Sequence, residues 1–298
     1  MTRLAPRLLA LCAAIAASVV CTGCGAGDPA PGRPATTPYA PALHDALPPE
    51  VRTAGRLRIA TDASYAPASA FARDGRTIVG FEPDLGAALG RVLGVDVGFE
   101  NVGFERLVPA LHRDRTDLVM SAMTDTRARE RRVDFVNYFS AGTAVVVQRG
   151  NPAGITDLRS LCGRRVAVER GTVQVDLLAR SQRNCAGDPV DVRTFDTNAD
   201  ALVRLRTARV DAVLNDYPPA ALLAGDPKTR ASYQLASTAQ YEPGLYGIAV
   251  AKDRPALTAA VQGALDELIR SGEYRRILRR WDVADGAVTA TSVNAGRA

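Results

Sequence analysis

Residues 117–137 read DLVMSAMTDTRARERRVDFVN and combine hydroxyls with arginines in an order that suggests anion binding. The apolar run 118–120 reads as a buried strand, and Ser121, Thr124 and Thr126 follow it. Thr126 is placed to cap a following helix. Arg127 and Arg129 then fall in the first turn of that helix, where the macrodipole favours anions and each cation costs about 0.3–1 kcal/mol. A bound anion removes this conflict. Arg129 can grip a carboxylate with two parallel N–H donors while backbone amides and a threonine hydroxyl complete the cradle. Because Arg131 and Arg132 follow, a solvated basic helix face accounts for this stretch by itself equally well.

Other polar groups stand at comparable addresses. Residues 57–60 read as a strand that delivers Thr61, Asp62, Ser64 and Tyr65 into a loop. A strand at 165–168 ends in Gly171 and Thr172, ahead of a helix at 173–180 that carries Gln174. The buried strand 210–214 ends at Asn215 and Asp216. Open α/β sheets bind ligands beyond the carboxyl ends of their strands. Taken singly, Asp62 and Asp216 also serve as turn or cap residues, Thr172 as a loop hydroxyl, and Tyr65 and Phe104 as core. Taken together, the set holds a strong cation, an anion and two aromatic walls. An α-amino acid zwitterion needs those charges paired once it leaves water.

The elements that position these groups follow from hydrophobic period. In the first half, 77–80 is strand-like, 81–93 is a helix with Leu85, Ala88, Leu89 and Val92 on one face, 95–99 is strand-like, and Phe104 opens a helix carrying Leu107, Val108 and Leu111. The second unit runs as strand 143–148, short helix 155–161, strand 190–195, helix 199–206 and a helix started by Pro218 and Pro219. Strand 247–251, helix 256–269 and helix 275–281 close the chain, and 282–298 reads as a loose tail. This alternation predicts an α/β fold built on largely parallel sheets.

The chain has 298 residues, 47% hydrophobic and 23% charged, which suits about two domains. Its 37 basic and 32 acidic residues are mixed, without a basic block, which argues against nucleic acid as a partner. Two histidines, and five cysteines that do not form two CxxC pairs, argue against a metal centre or a histidine-based triad. Arg3 and Arg7 precede an apolar run, 8–21, too short to span a bilayer of about 30 Å, so it reads as a secretory signal peptide. Residues 25–50 hold seven prolines and no hydrophobic period, and read as an extended tether. Cys162 and Cys185, 23 positions apart in an exported chain, read as a disulfide, with two buried free thiols as the alternative.

Two resemblances organise these readings. The CTGC at 21–24 resembles the lipobox of bacterial lipoproteins, which implies cleavage before Cys24 and its lipidation; an ordinary signal peptide is the alternative. The blocks GFEPDLGAALGRVLGVDV, PALHRDRTDLVMSAMTDTRARERRVDF, LCGRRVAVERGTVQ, ARVDAVLNDYPPA and GEYRRILRRW resemble, in this order, the bacterial extracellular solute-binding proteins of family 3, the substrate-binding lipoproteins of polar amino-acid ABC importers. The pattern departs at Pro83 and at Ala68, the second of which would reshape the side-chain pocket.

The resemblance implies a two-lobe periplasmic-binding-protein fold of type II, α/β, with open, mostly parallel sheets flanked by helices. Its expected divisions are a signal peptide at 1–23, a tether at 24–50, a first lobe at 51–142 and 242–282, a second lobe at 143–241 and a tail at 283–298. Crossover strands would lie near 140–145 and 236–246. Arg129 would pair with a ligand α-carboxylate, helped by Thr124 and the backbone near Thr172. Asp216 would receive the α-ammonium, Tyr65 and Phe104 would flank the side chain, and Asp62, Ser121 and Gln174 would add polar contacts.

The implied function is capture of a free amino acid outside the cytoplasm and its delivery to a membrane permease with its ATPase. The chain would act as a monomer, without cofactor, metal or catalysis, and would touch the membrane only through the lipid anchor. A periplasmic dehydratase of the cyclohexadienyl type and a sensor-type receptor are the alternatives. Dehydration would need a general acid, for which Glu82, Glu105, Glu130 and Glu169 are available but none is placed over the ligand by sequence. Asp62 suits a cationic side chain such as arginine, lysine or ornithine, whereas TD-x-SY also resembles binders of glutamine, glutamate or cystine.

Overall fold

The computed structural model describes residues 36–297. The first half of the described chain runs α1 (Pro41–Asp45), α2 (Pro49–Ala54), β1 (Arg56–Thr61), β2 (Ser64–Tyr65), β3 (Ser69–Phe71), β4 (Ile78–Val79), α3 (Phe81–Leu93), β5 (Asp96–Asn101), α4 (Leu107–Leu111), β6 (Leu118–Val119), α5 (Arg127–Glu130) and the long β7 (Val133–Gln148). The second half runs β8 (Arg165–Glu169), α6 (Val173–Ser181), β9 (Asp191–Phe195), α7 (Asn198–Arg206), β10 (Ala212–Asp216), α8 (Tyr217–Gly225), β11 (Tyr233–Leu235), β12 (Tyr241–Ala251), α9 (Pro255–Arg270), α10 (Glu273–Arg280) and β13 (Ala287–Val293).

Helix α3 shows how local sequence sets an element. Phe81, Leu85, Ala88, Leu89 and Val92 recur at helical spacing and are buried, and Gly94 ends the helix in a left-handed cap at φ 67°. Pro83 lies in its first turn, where a missing N–H breaks no helical bond. Gly80 opens the helix at φ 150°, and a Cβ there would lie 1.9 Å from the Ala68 carbonyl oxygen. Ala68 itself is buried in the core with residues of α3.

The main sheet has the order β5-β1-β6-β12-β7-β10-β8-β9, with β11 and β13 also on β7. Strands β5, β1 and β6 pair in parallel, as do β9, β8 and β10. Between these blocks β7 and β12 run antiparallel to each other and to their neighbours, so the sheet is mixed rather than largely parallel. Two long strands that pass between the blocks cannot share the direction of both.

The core divides accordingly. Val136, Tyr138, Phe139 and Ala141 of β7 pack with α3, α9 and α10, whereas Ala144 to Val147 pack with β8 and β10. On β12, Tyr241 packs against the second core and Tyr246 lies in the first. Two lobes result, joined through β7 and β12. Cys162 and Cys185 form a disulfide in the second lobe, Cα–Cα 5.6 Å. The helix expected at 155–161 is only a single 3-10 turn, Arg159–Leu161.

Parts of both ends that read as flexible are packed against the fold. Thr37 donates its amide to Glu273 Oε2 at 2.6 Å, Ala40 donates to the Val92 carbonyl at 2.9 Å, and Leu47 is buried. Prolines at the first turns of α1 and α2 start helices rather than extend the chain. The expected signal peptide, the tether up to residue 35 and Cys24 lie outside the described residues. At the other end β13 pairs with β7, Ser292 opposite Asn137, and Asn294 Oδ1 accepts the Phe135 amide at 2.8 Å. An open edge of β7 requires backbone partners, and the small alternating residues of β13 provide them with little hydrophobic signature.

Candidate functional site

The loops after β1, β6, β8 and β10 meet at a cleft between the lobes. All nine residues expected at a ligand site line it: Asp62, Tyr65, Phe104, Ser121, Thr124 and Arg129 from the first lobe, and Thr172, Gln174 and Asp216 from the second. Ala122, Glu169 and Val173 complete the wall.

Asp62 is tied to its own lobe. Oδ1 accepts the Ser64 amide and Oδ2 the Phe104 amide, both at 3.0 Å, while the Asp62 amide donates to Ser121 Oγ at 2.9 Å. Asp62 and Ser121 therefore shape the loops that present Tyr65 and Phe104.

Arg129 reaches across the cleft. Nη1 donates to the Thr124 carbonyl at 2.6 Å and Nη2 to the Gly171 carbonyl of the facing lobe at 2.9 Å, with the guanidinium carbon 5.5 Å from the Phe104 ring centre. Burial pulls its pKa down to about 10, opposed by the charges of Asp216, Asp176 and Asp125. A guanidinium has five N–H donors, so more remain than these two bonds use.

The cradle expected at the start of the Arg129 helix is not there. Helix α5 is a four-residue turn capped by Thr126, whose Oγ1 accepts the Arg129 amide at 3.3 Å, and its first residues, Arg127 and Ala128, do not line the cleft. The helix start that faces the cleft is that of α6, where Thr172, Val173 and Gln174 line the wall. Thr172 does not cap this helix, because its hydroxyl donates to the Glu169 carbonyl at 2.7 Å.

Asp216 lies opposite Arg129. Oδ1 accepts Gln174 Nε2 at 2.7 Å and Oδ2 accepts the Tyr65 hydroxyl at 3.0 Å. The same Tyr65 oxygen accepts the Asp216 amide at 3.0 Å, so Tyr65 joins the two lobes. Burial pushes the Asp216 carboxyl up to about 6, although Tyr65, Gln174 and Arg129 favour its charged form.

Glu169 is the residue that sequence reasoning left without a place. It ends β8, is buried, and is pushed up to about 9 by burial and by the charges of Asp62 and Asp216. Its position at the carboxyl end of a predicted parallel strand was the signal that could have found it, the same signal that found Asp216. The other glutamates considered as acids lie elsewhere. Glu82 is fully buried in the first core and bonded to Tyr138, Ser69 and the Ala122 amide. Glu105 lies 3.6 Å from Arg170, and Glu130 accepts the Gly296 amide at 2.9 Å.

Among the described residues no group of three or more His, Cys, Asp or Glu is placed to hold a metal ion, and no helix is long and apolar enough to cross a membrane.

Known proteins share this architecture. The chain is 29% identical over 238 residues to the L-cystine-binding protein TcyJ of Escherichia coli (strain K12), covering 79% of this chain and 86% of that one. It is 32% identical over 230 residues to the L-arginine-binding protein of Pseudomonas aeruginosa, covering 74% and 85%. An ancestral arginine-binding protein solved with bound arginine superposes with a TM-score of 0.70 at 32% identity, covering 76% and 98%. The fold is therefore the two-lobe, type II periplasmic-binding-protein fold. With residues 57–284 matching the family model, the chain belongs to the bacterial extracellular solute-binding proteins, family 3.

Proposed function

We propose that this chain is the substrate-binding component of an ABC importer and that it captures a cationic α-amino acid, of which arginine is the prime candidate. The observation that carries this reading is the placement of Arg129 on one lobe and buried Asp216 on the other, facing a single cleft. A zwitterion set between them pairs its carboxylate with the guanidinium and the α6 amides, and its ammonium with the Asp216 carboxylate. Tyr65 and Phe104 then flank the side chain, and the acidic floor at Asp62 favours a positive one. The arginine-binding relatives agree with that preference.

Capture follows from differential binding. Arg129 bonded to Gly171 and Tyr65 bonded to Asp216 are contacts between lobes, so they exist only when the cleft is shut. A ligand held by both walls adds to them and shifts the population toward the closed form. The closed form is what a permease with its ATPase would receive. Cleavage and lipidation at Cys24 would hold the protein, as a monomer, at the outer face of the membrane.

A thermal-shift screen of the twenty amino acids tests the reading. A ligand at 100 times its Kd stabilises the folded state by about 2.7 kcal/mol. Arginine, followed by lysine, should raise the melting temperature most, and Arg129→Ala should abolish every shift. Retained binding in that variant would move the carboxylate site elsewhere.

One observation favours a second reading, dehydration of a cyclohexadienyl substrate, because Glu169 is a buried acid within the cleft. Incubation with prephenate or arogenate should give no product, and turnover would favour the dehydratase.

A further inference from the structure

Among its described lining residues the cleft sets three carboxyls, Asp62, Glu169 and Asp216, against the guanidinium of Arg129. If the two ends of an amino acid engage Arg129 and Asp216, Asp62 and Glu169 are left to face its side chain. These two are not equivalent. Both oxygens of Asp62 already accept backbone amides, whereas Glu169, only 6% exposed, has an Oε1 with no hydrogen-bond partner. A buried carboxylate in that condition requires a proton or a cation.

The two carboxyls come from opposite lobes and approach closely enough to hydrogen-bond to each other when one is protonated. The groups facing Glu169 are Asp62 after β1, the Tyr65 hydroxyl on β2, Asp216 at the end of β10 and the Asn198 amide at the start of α7. The adjacent Arg170 is engaged elsewhere, 3.2 Å from Asp196 and 3.6 Å from Glu105. No cation is among the strongest influences on Glu169.

We propose that Glu169 is a specificity-determining residue: with Asp62 across the cleft it receives the cationic end of the ligand side chain, and a cation or a proton between these two carboxyls is a condition for the lobes to close. The proposal rests on the reading of the cleft as a site for a cationic amino acid. When both carboxyls are ionised and nothing lies between them, their repulsion holds the lobes apart. A guanidinium or ammonium group replaces that repulsion with paired charge. A neutral side chain leaves the pair intact, so closure around it must retain one proton that closure around a cation does not. Burial and the neighbouring acids, which push Glu169 up to about 9, fit this requirement.

L-Arginine and its neutral isostere L-citrulline provide the test. Because the citrulline complex carries one more proton than the arginine complex, the ratio of their affinities depends on pH whatever the state of the empty protein. Calorimetric titration at pH 6, 7 and 8 should show the preference for arginine rising by up to about tenfold per pH unit. In Glu169→Gln the preference should be smaller and independent of pH. A ratio that does not change with pH in the unaltered protein, or a pH-dependent ratio that survives Glu169→Gln, overturns the proposal while arginine binding stands. If neither arginine nor lysine binds but a neutral amino acid does, the cationic-ligand reading fails and this proposal falls with it. The pH series on the unaltered chain needs no variant to fold.

Discussion

The two walls of the cleft handle buried charge in different ways. On the first-lobe wall, Asp62 accepts two backbone amides and Arg129 donates to the Thr124 carbonyl of its own lobe. On the second-lobe wall, Asp216 is pushed up to about 6 and Glu169 to about 9, mainly by burial. The fold itself thus satisfies much of the polarity of the first wall, while the second wall keeps carboxyls whose charged forms lack sufficient partners. Ligand charge contributes most where that deficit lies. The first wall shapes the site, and the second wall couples ligand charge to closure.

The sharpest way to break this contrast is to remove a carboxyl from each wall. Asp62→Ala should destabilise the protein by about 2–4 kcal/mol in urea unfolding, because two partly buried amides lose their acceptor. If its stability is unchanged and only affinity falls, Asp62 belongs with the second wall. Asp216→Asn should do the reverse, weakening ligand binding by about 2–3 kcal/mol in titration calorimetry with little loss of stability.

A smaller effect concerns pH. Glu169 has an ordinary value of 4.5 and is pushed up to about 9 in the fold, so the folded chain holds a proton that the unfolded chain has released between those values. The stabilisation that Glu169 contributes to the closed, ligand-free form is then fully present below pH 4.5 and is lost as pH rises toward about 9. A melting series over that window should slope downward, at most about 1.4 kcal/mol per pH unit per proton, and Glu169→Gln should flatten it above about pH 6, where Asp216 is already ionised. The smallest effect is expected outside both walls. Arg127, Arg131 and Arg132 are exposed, and replacing all three by alanine should change affinity by less than about 0.5 kcal/mol.

The same contrast explains which features were legible in advance. Asp62 and Asp216 were found by one rule, a polar residue beyond a predicted strand, and both line the cleft. The rule did not distinguish their partners. Ser64, which bonds Asp62, is two positions away, but Phe104 is 42 away and the Tyr65 hydroxyl lies 151 positions from Asp216. Glu169 met the rule equally well, yet it was weighed only as a catalytic acid, a role that requires knowing what it faces. Strand β13 escaped notice because Ala, Thr and Ser carry little hydrophobic period, and the prolines at 41, 48 and 49 looked like a linker although Pro41 and Pro49 start helices.

Local patterns of residues encode the alternation of strand and helix, the burial face of α3 and the residue types gathered beyond the strands. Hydrophobic period and caps act within a few turns of chain, so those features are local. Long-range packing decides that the N-terminus of α6 rather than that of α5 faces the cleft, that Asp62 is bound by its own loops, and that Glu169 stands across from it with an unpartnered Oε1. Desolvation and charge pairing depend on which distant segments meet, and no local pattern encodes that meeting.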